Sequence, residues 1–143
     1  MKQKITDLNW PRILIASVLV IIVDIGLIAL IVTGYAFKLG FVAHGAPDQV
    51  RIGEFAARVG PLWGPILGIF LTFVGAAWVA RKVVASPVVN GVAVGVVLAV
   101  VALVFDQAIN FATLGAFVLT VIAGWLGGLF GCWRHLDIKE ETL

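Results

Sequence analysis

Asp24 is the residue of this chain whose type and position most invite chemistry. It sits near the centre of a 25-residue apolar run, Ile13 to Phe37, as the one side chain there that is charged in neutral water. An Asp at the middle of a membrane helix costs roughly 2.5 to 3.5 kcal/mol on insertion scales, and such carboxyls mark ion pathways and proton relays. The fifteen Ile, Leu and Val of the same run return roughly 0.3 to 0.6 kcal/mol each, so the run inserts with its carboxyl.

No cation in another apolar run is placed to pair with Asp24. Ser17 shares its helical face but lies seven residues away, about 10 Å along the axis and beyond a direct bond. At similar depth lie the hydroxyls of Thr72 and Thr120 and the indole N–H of Trp125. Two roles fit this setting. Asp24 is a proton or cation site, or it is a neutral acid that hydrogen-bonds one of these groups and fixes helix register.

A second polar cluster, Asp106, Gln107 and Asn110, closes the third apolar run, with Asp106 and Asn110 one turn apart. These residue types can line an entrance or hold a cation, and they equally end and cap a helical hairpin. His44 and His135 fall outside the apolar runs, which leaves no histidine within a bilayer to ligate a haem. Cys132 is the only cysteine, which excludes an intrachain disulfide, a CxxC pair and a thiolate metal cage. No nucleophile, base and oxyanion donor are spaced to cooperate, and no glycine-rich loop follows a strand to cradle phosphate. The sequence therefore predicts no enzyme, no cofactor and no metal. A membrane enzyme with an outer-loop site around His44, Asp48 and Asp106 is the least favoured reading.

The elements that must position these residues follow from composition. Charged residues make up 13% and hydrophobic residues 62%, with a mean hydropathy of +1.11, where a soluble chain carries about a quarter charged residues. The class predicted is an all-α integral membrane protein. A chain of 143 residues holds one such domain, a four-transmembrane-helix bundle with spans near 13–37, 62–79, 88–105 and 113–133. The net charge of +2, without a clustered basic face, argues against nucleic acid as a partner.

Along the chain, Lys2, Lys4 and Arg12 before an apolar run have the outline of a signal peptide, but the run is too long for one and reads as a first span. Asn9, Pro11 and Trp10 suit the cap, first turn and interfacial belt of that span. Tyr35, Phe37 and Lys38 mark its far end, and Gly40 ends its pattern. Between spans one and two, Ile52, Phe55, Ala56 and Val59 recur on one helical face opposite Arg51, Glu54 and Arg58. This predicts a short amphipathic helix over 48–59, lying on the membrane surface or capping the bundle, with a Glu54–Arg58 pair and a stop at Gly60–Pro61.

Gly91 and Gly95 in span three, and Gly124, Gly127, Gly128 and Gly131 in span four, form small-residue faces for close helix packing. The last nine residues, His135 to Leu143, read as a short, polar, mobile tail. Phe73–Lys82 and Trp125–Arg134 match in residue class, a likeness that the common grammar of span ends accounts for.

Lys2, Lys4, Arg12, Arg81, Lys82, Arg134 and Lys139 fall on one side, against Lys38, Arg51 and Arg58 on the other. The positive-inside rule then places both termini in the cytoplasm, in the pattern of a multi-pass protein of a bacterial inner membrane. Beyond the lipid bilayer, the glycine faces predict a homo-oligomer or a subunit of a larger membrane complex. The first functional expectation is a non-catalytic accessory, assembly or interaction subunit. The alternative is an oligomeric channel or proton-coupled transporter using Asp24.

Overall fold

The computed structural model describes residues 8–105 and 111–140, with side chains as far as residue 133. Over these the chain is all-helical: α1 (Trp10–Ala43), α2 (Gln49–Lys82), α3 (Pro87–Phe105) and α4 (Phe111–Glu140). Each helix is long and apolar enough to cross a membrane.

Local chemistry sets the helix ends. The Asn9 side chain accepts the Arg12 N–H at 3.4 Å, and Pro11 occupies the first turn, where its missing N–H has no partner to lose. α1 continues past Gly40 to Ala43 and stops where His44 adopts a left-handed conformation, φ 49°. The Gly45 N–H then reaches back to the Gly40 carbonyl at 3.3 Å. The Asp48 side chain caps α2 by accepting the N–H groups of Val50 and Arg51 at 3.0 and 3.4 Å.

The separate amphipathic helix of the sequence reading is corrected here. Its predicted face is present, with Val59 buried and Ile52, Phe55 and Ala56 half-buried, but the segment is the first part of α2 and runs through Gly60, Pro61 and Pro65 without a break. A proline inside a helix removes one N–H and crowds the carbonyl four residues earlier, which bends a helix without ending it when neighbours hold both sides. Here the neighbour is α1. Tyr35 and Phe55 stack with centroids 4.0 Å apart, so this segment lies along the end of α1. Asp48 and Arg51 form an ion pair at 3.5 Å, whereas Glu54 and Arg58 are exposed and form no ion pair among the described residues. The connection shortens to residues 44–48. At the other end, the predicted polar tail is helical in backbone as far as Glu140.

The helices alternate in direction, and the core sits at one end. Arg12 donates a hydrogen bond to the Lys82 carbonyl, and the Asn9 N–H donates to Asn90 Oδ1 at 2.8 Å, joining the starts of α1 and α3 to the end of α2. Ile13, Ala16 and Val20 of α1 pack with Ala76, Val79 and Val83 and with Val94 and Leu98. α4 closes the group through glycine. A methyl at Gly91 would lie 2.6 Å from the Gly128 Cα, and one at Gly131 would lie 2.6 Å from the Ala77 carbonyl oxygen. Gly127 lies against Phe73 and Ala76 in the same way, so the two class-matched segments of α2 and α4 run side by side and parallel.

Burial stops midway. The buried residues of α1 are Ile13, Ala16, Ser17 and Val20, all before Asp24. Those of α3 end at Ala99, and those of α4 begin at Ala123. In α2 only Val59 is buried ahead of Thr72. The bundle thus has a closed end, bearing the start of α1, and an open end toward the α1–α2 connection.

Candidate functional site

Asp24 stands where the closed end gives way to the open one. Val20, one turn earlier, presses on Gly75, where an added methyl would come within 2.9 Å of its Cγ2. One turn later the helices no longer touch in this way. A methyl on Gly68 would lie 3.9 Å from Asp24 Oδ2, and one on Gly64 would meet nothing within 4 Å.

The space left is a cavity of about 890 Å³ between the four helices. Val20, Thr72, Leu98, Ala99 and Thr120 line it next to the core, and Gly60, Phe105 and Ala112 line it toward the open end. Among the described residues that line it Asp24 is the one charged side chain, and the others are aliphatic, aromatic, glycine, proline or threonine.

Local sequence explains the shape of the α2 wall. Gly60, Pro61, Gly64, Pro65 and Gly68 all line the cavity. The Gly-Pro pairs recur at four residues, so they share one helical face, and glycine there leaves the volume that a side chain would fill. Pro65 also lacks an N–H, which frees the Pro61 carbonyl from its helical donor.

The polar atoms of the site are unevenly matched. Asp24 Oδ1 is shielded from solvent and has no hydrogen-bond partner. Thr72 is buried and donates its hydroxyl to the Gly68 carbonyl at 2.6 Å, and Thr120 donates to the Ala116 carbonyl at 2.8 Å. Each threonine thus satisfies itself on the preceding turn of its own helix, a common use of Ser and Thr in apolar helices. Both still line the cavity and present lone pairs. Thr113, also on the wall, has a partner as well.

The structure brings Asp24, Thr72 and Thr120 to one cavity and leaves Trp125 out of it, 47% exposed on the outside of α4. The six packing glycines, Gly91, Gly95, Gly124, Gly127, Gly128 and Gly131, lie at helix contacts of the closed end. Asp106, Gln107 and Asn110 lie outside the described residues. His44 is exposed at the end of α1, and Cys132 is a free thiol. Among the described residues no three His, Cys, Asp or Glu gather as metal ligands.

Two features escaped the sequence reading. The Gly-Pro pattern of α2 was visible as a four-residue repeat, but Gly60–Pro61 carried the signature of a helix stop. Asn90, the single strongly polar residue of α3, is wholly buried. Its Nδ2 donates to the Ala85 and Ser86 carbonyls at 3.2 and 3.0 Å while its Oδ1 accepts from Asn9, so one amide ties three helix ends together.

Compared with protein-family models, with curated proteins and with solved structures, the chain matches none.

Proposed function

We propose that this chain is a non-enzymatic integral membrane protein that carries a proton or cation on Asp24, in the manner of a proton-coupled transporter. The observation that carries this reading is the unpartnered Oδ1 of Asp24 on the wall of a cavity of about 890 Å³ whose other described lining residues are uncharged. A buried polar group without a partner costs about 1 to 3 kcal/mol, more when charged, and a fold keeps one where something else binds it. A proton or cation meets that description.

The register-fixing role is less well supported. Its three candidate donors are turned elsewhere, since Thr72 and Thr120 bond their own helices and Trp125 lies on the outside. The accessory-subunit reading rested on the scarcity of chemistry in the sequence, with the small-residue faces suited equally to oligomer contacts, internal packing or docking to a larger complex. Those glycines are occupied within the bundle, with Gly91 and Gly95 against Gly124, and Gly127 and Gly131 against α2.

The exposed faces carry large apolar side chains from end to end, among them Ile25, Leu30, Phe70 and Val104. In water such a surface would aggregate, and in a bilayer it is ordinary. With both termini cytoplasmic, as the distribution of Lys and Arg favours, the cavity opens toward the outer leaflet.

The test is proton flux into proteoliposomes under an imposed pH gradient, comparing the wild type with Asp24→Asn. The amide keeps size and hydrogen bonding but cannot titrate. The expected result is a tenfold or greater loss of flux with unchanged extraction and thermal unfolding. Equal flux in the two proteins removes the proposal.

A further inference from the structure

The cavity is far larger than a proton or a metal ion needs, and its lining says what else it takes. We infer that it binds a lipophilic organic monocation, a protonated amine or a quaternary onium of largely hydrocarbon character, in exchange for a proton on Asp24. The inference rests on the transport reading above for the role of the site, but its evidence is the chemistry of the walls.

Volume comes first. About 890 Å³ is the size of a site for a drug-sized molecule, in the usual range of about 300 to 1,000 Å³. Charge comes second. Among the described residues of the lining Asp24 is the lone charged side chain, no Lys, Arg or His joins it, and the anion of a ligand would find no counter-charge among these side chains.

Hydrogen bonding comes third. The hydroxyl protons of Thr72 and Thr120 are already given to backbone carbonyls, so these side chains offer the cavity lone pairs. A ligand that brings a positive charge or N–H groups is complementary to this set. An anion or a rich acceptor is not.

An inorganic cation fits poorly. Ions such as Mg²⁺ and Ca²⁺ need about six to eight oxygen ligands to replace their water, whereas the described side chains of this lining offer one carboxyl and three threonine hydroxyls among aliphatic groups such as Ile21, Ile69, Leu98 and Ala102. Those aliphatic side chains gain when they bury a hydrocarbon body instead, at about 25 cal/mol per Å² of apolar surface.

The exchange balances simply. The neutral acid of Asp24 releases its proton to water, and the carboxylate holds the cation in its place. No other titratable side chain on α2, α3 or α4 faces Asp24 across the cavity among the described residues. Binding therefore follows the one carboxyl, and while that group is protonated the apparent affinity rises about tenfold per pH unit.

The test uses the full chain in detergent and a matched pair of probes, tetraphenylphosphonium and tetraphenylborate, which share shape and hydrocarbon surface but differ in sign. Equilibrium dialysis is expected to show saturable phosphonium binding at least tenfold tighter than borate binding, weakening as the pH falls. Asp24→Asn is expected to lose that preference. Gly64→Leu is the second variant, because an added Cβ meets nothing within 4 Å and Gly64 lines the cavity, so the larger side chain takes up part of its volume while leaving the carboxyl in place. It is expected to lose phosphonium binding by tenfold or more with thermal unfolding unchanged.

Equal binding of the two ions, or phosphonium binding indifferent to both substitutions, overturns the inference. Proton flux without phosphonium binding ends the inference and leaves the transport reading standing. Phosphonium binding that depends on Asp24, without flux, does the reverse.

Discussion

The two ends of this bundle are built from the same residue, glycine, put to opposite uses. At the closed end glycine lets backbones touch. Gly91 and Gly95 meet Gly124, Gly128 and Thr120, and a methyl on any of these glycines would lie 3.1 Å or less from a backbone atom of the facing helix. At the open end Gly60, Gly64 and Gly115 have nothing within 4 Å of where a methyl would go. The first group excludes volume; in the second, Gly60 and Gly64 line the cavity and leave it room, while Gly115 is exposed on α4 outside that lining. Asp24 lies at the boundary, where the packing that would hold a side chain tightly gives way to the cavity that needs one.

The sharpest way to break the comparison is to make one substitution at both ends. Gly91→Ala places a methyl 2.6 Å from the Gly128 Cα and 2.8 Å from the Gly124 carbonyl oxygen, both backbone atoms of a helix that can yield only by moving bodily. Overpacking of this kind costs about 1 to 3 kcal/mol. Gly91→Ala is expected at the upper end of that range, as a fall in the midpoint of thermal unfolding in detergent. An unchanged midpoint would mean that the closed end is not closed.

Asn90 tests the same end by chemistry. Its amide makes two hydrogen bonds to the α2–α3 link and accepts a third from Asn9. Asn90→Ala leaves the Asn9 N–H and two carbonyls without those partners, and each net bond is worth about 1 kcal/mol. A loss of about 2 kcal/mol is expected, read from the same unfolding curves. If Asn90→Ala unfolds like the wild type, the three helix ends are held by packing alone.

How much of this was legible in the sequence depended on whether local rules or neighbours decided the outcome. Asn9, Pro11 and the hydropathy of Ile13 to Phe37 marked the start and course of α1, because a cap and an apolar run act within a few residues. The four-residue spacing of the packing glycines was likewise plain, since a helix places such positions on one face.

Local rules failed at Gly60–Pro61. They read as a stop, whereas α1 lies alongside through Tyr35 and Phe55 and the helix continues. They failed again at Thr72 and Thr120, which the sequence offered as partners for Asp24. Each hydroxyl finds a carbonyl on its own preceding turn at 2.6 and 2.8 Å, a bond always within reach. The cavity itself could not be read, because it is a property of four helices diverging together. Its one trace was the repeated Gly-Pro pair, and its meaning depended on which way that face turned.

The smallest expected effect is the most informative about the open end. Gly115→Ala adds a methyl where nothing lies within 4 Å, on an exposed turn of α4. With no packing to lose, only backbone propensity is left, and alanine is favoured over glycine within a helix by about 1 kcal/mol. The unfolding midpoint should therefore hold or rise slightly, the opposite sign to Gly91→Ala for the same added carbon. A clear loss of stability at Gly115 would show that something covers this face in the membrane, such as a second copy of the chain packed against α4. The exposed face of α4 at Gly115 would then be bare only in the single chain.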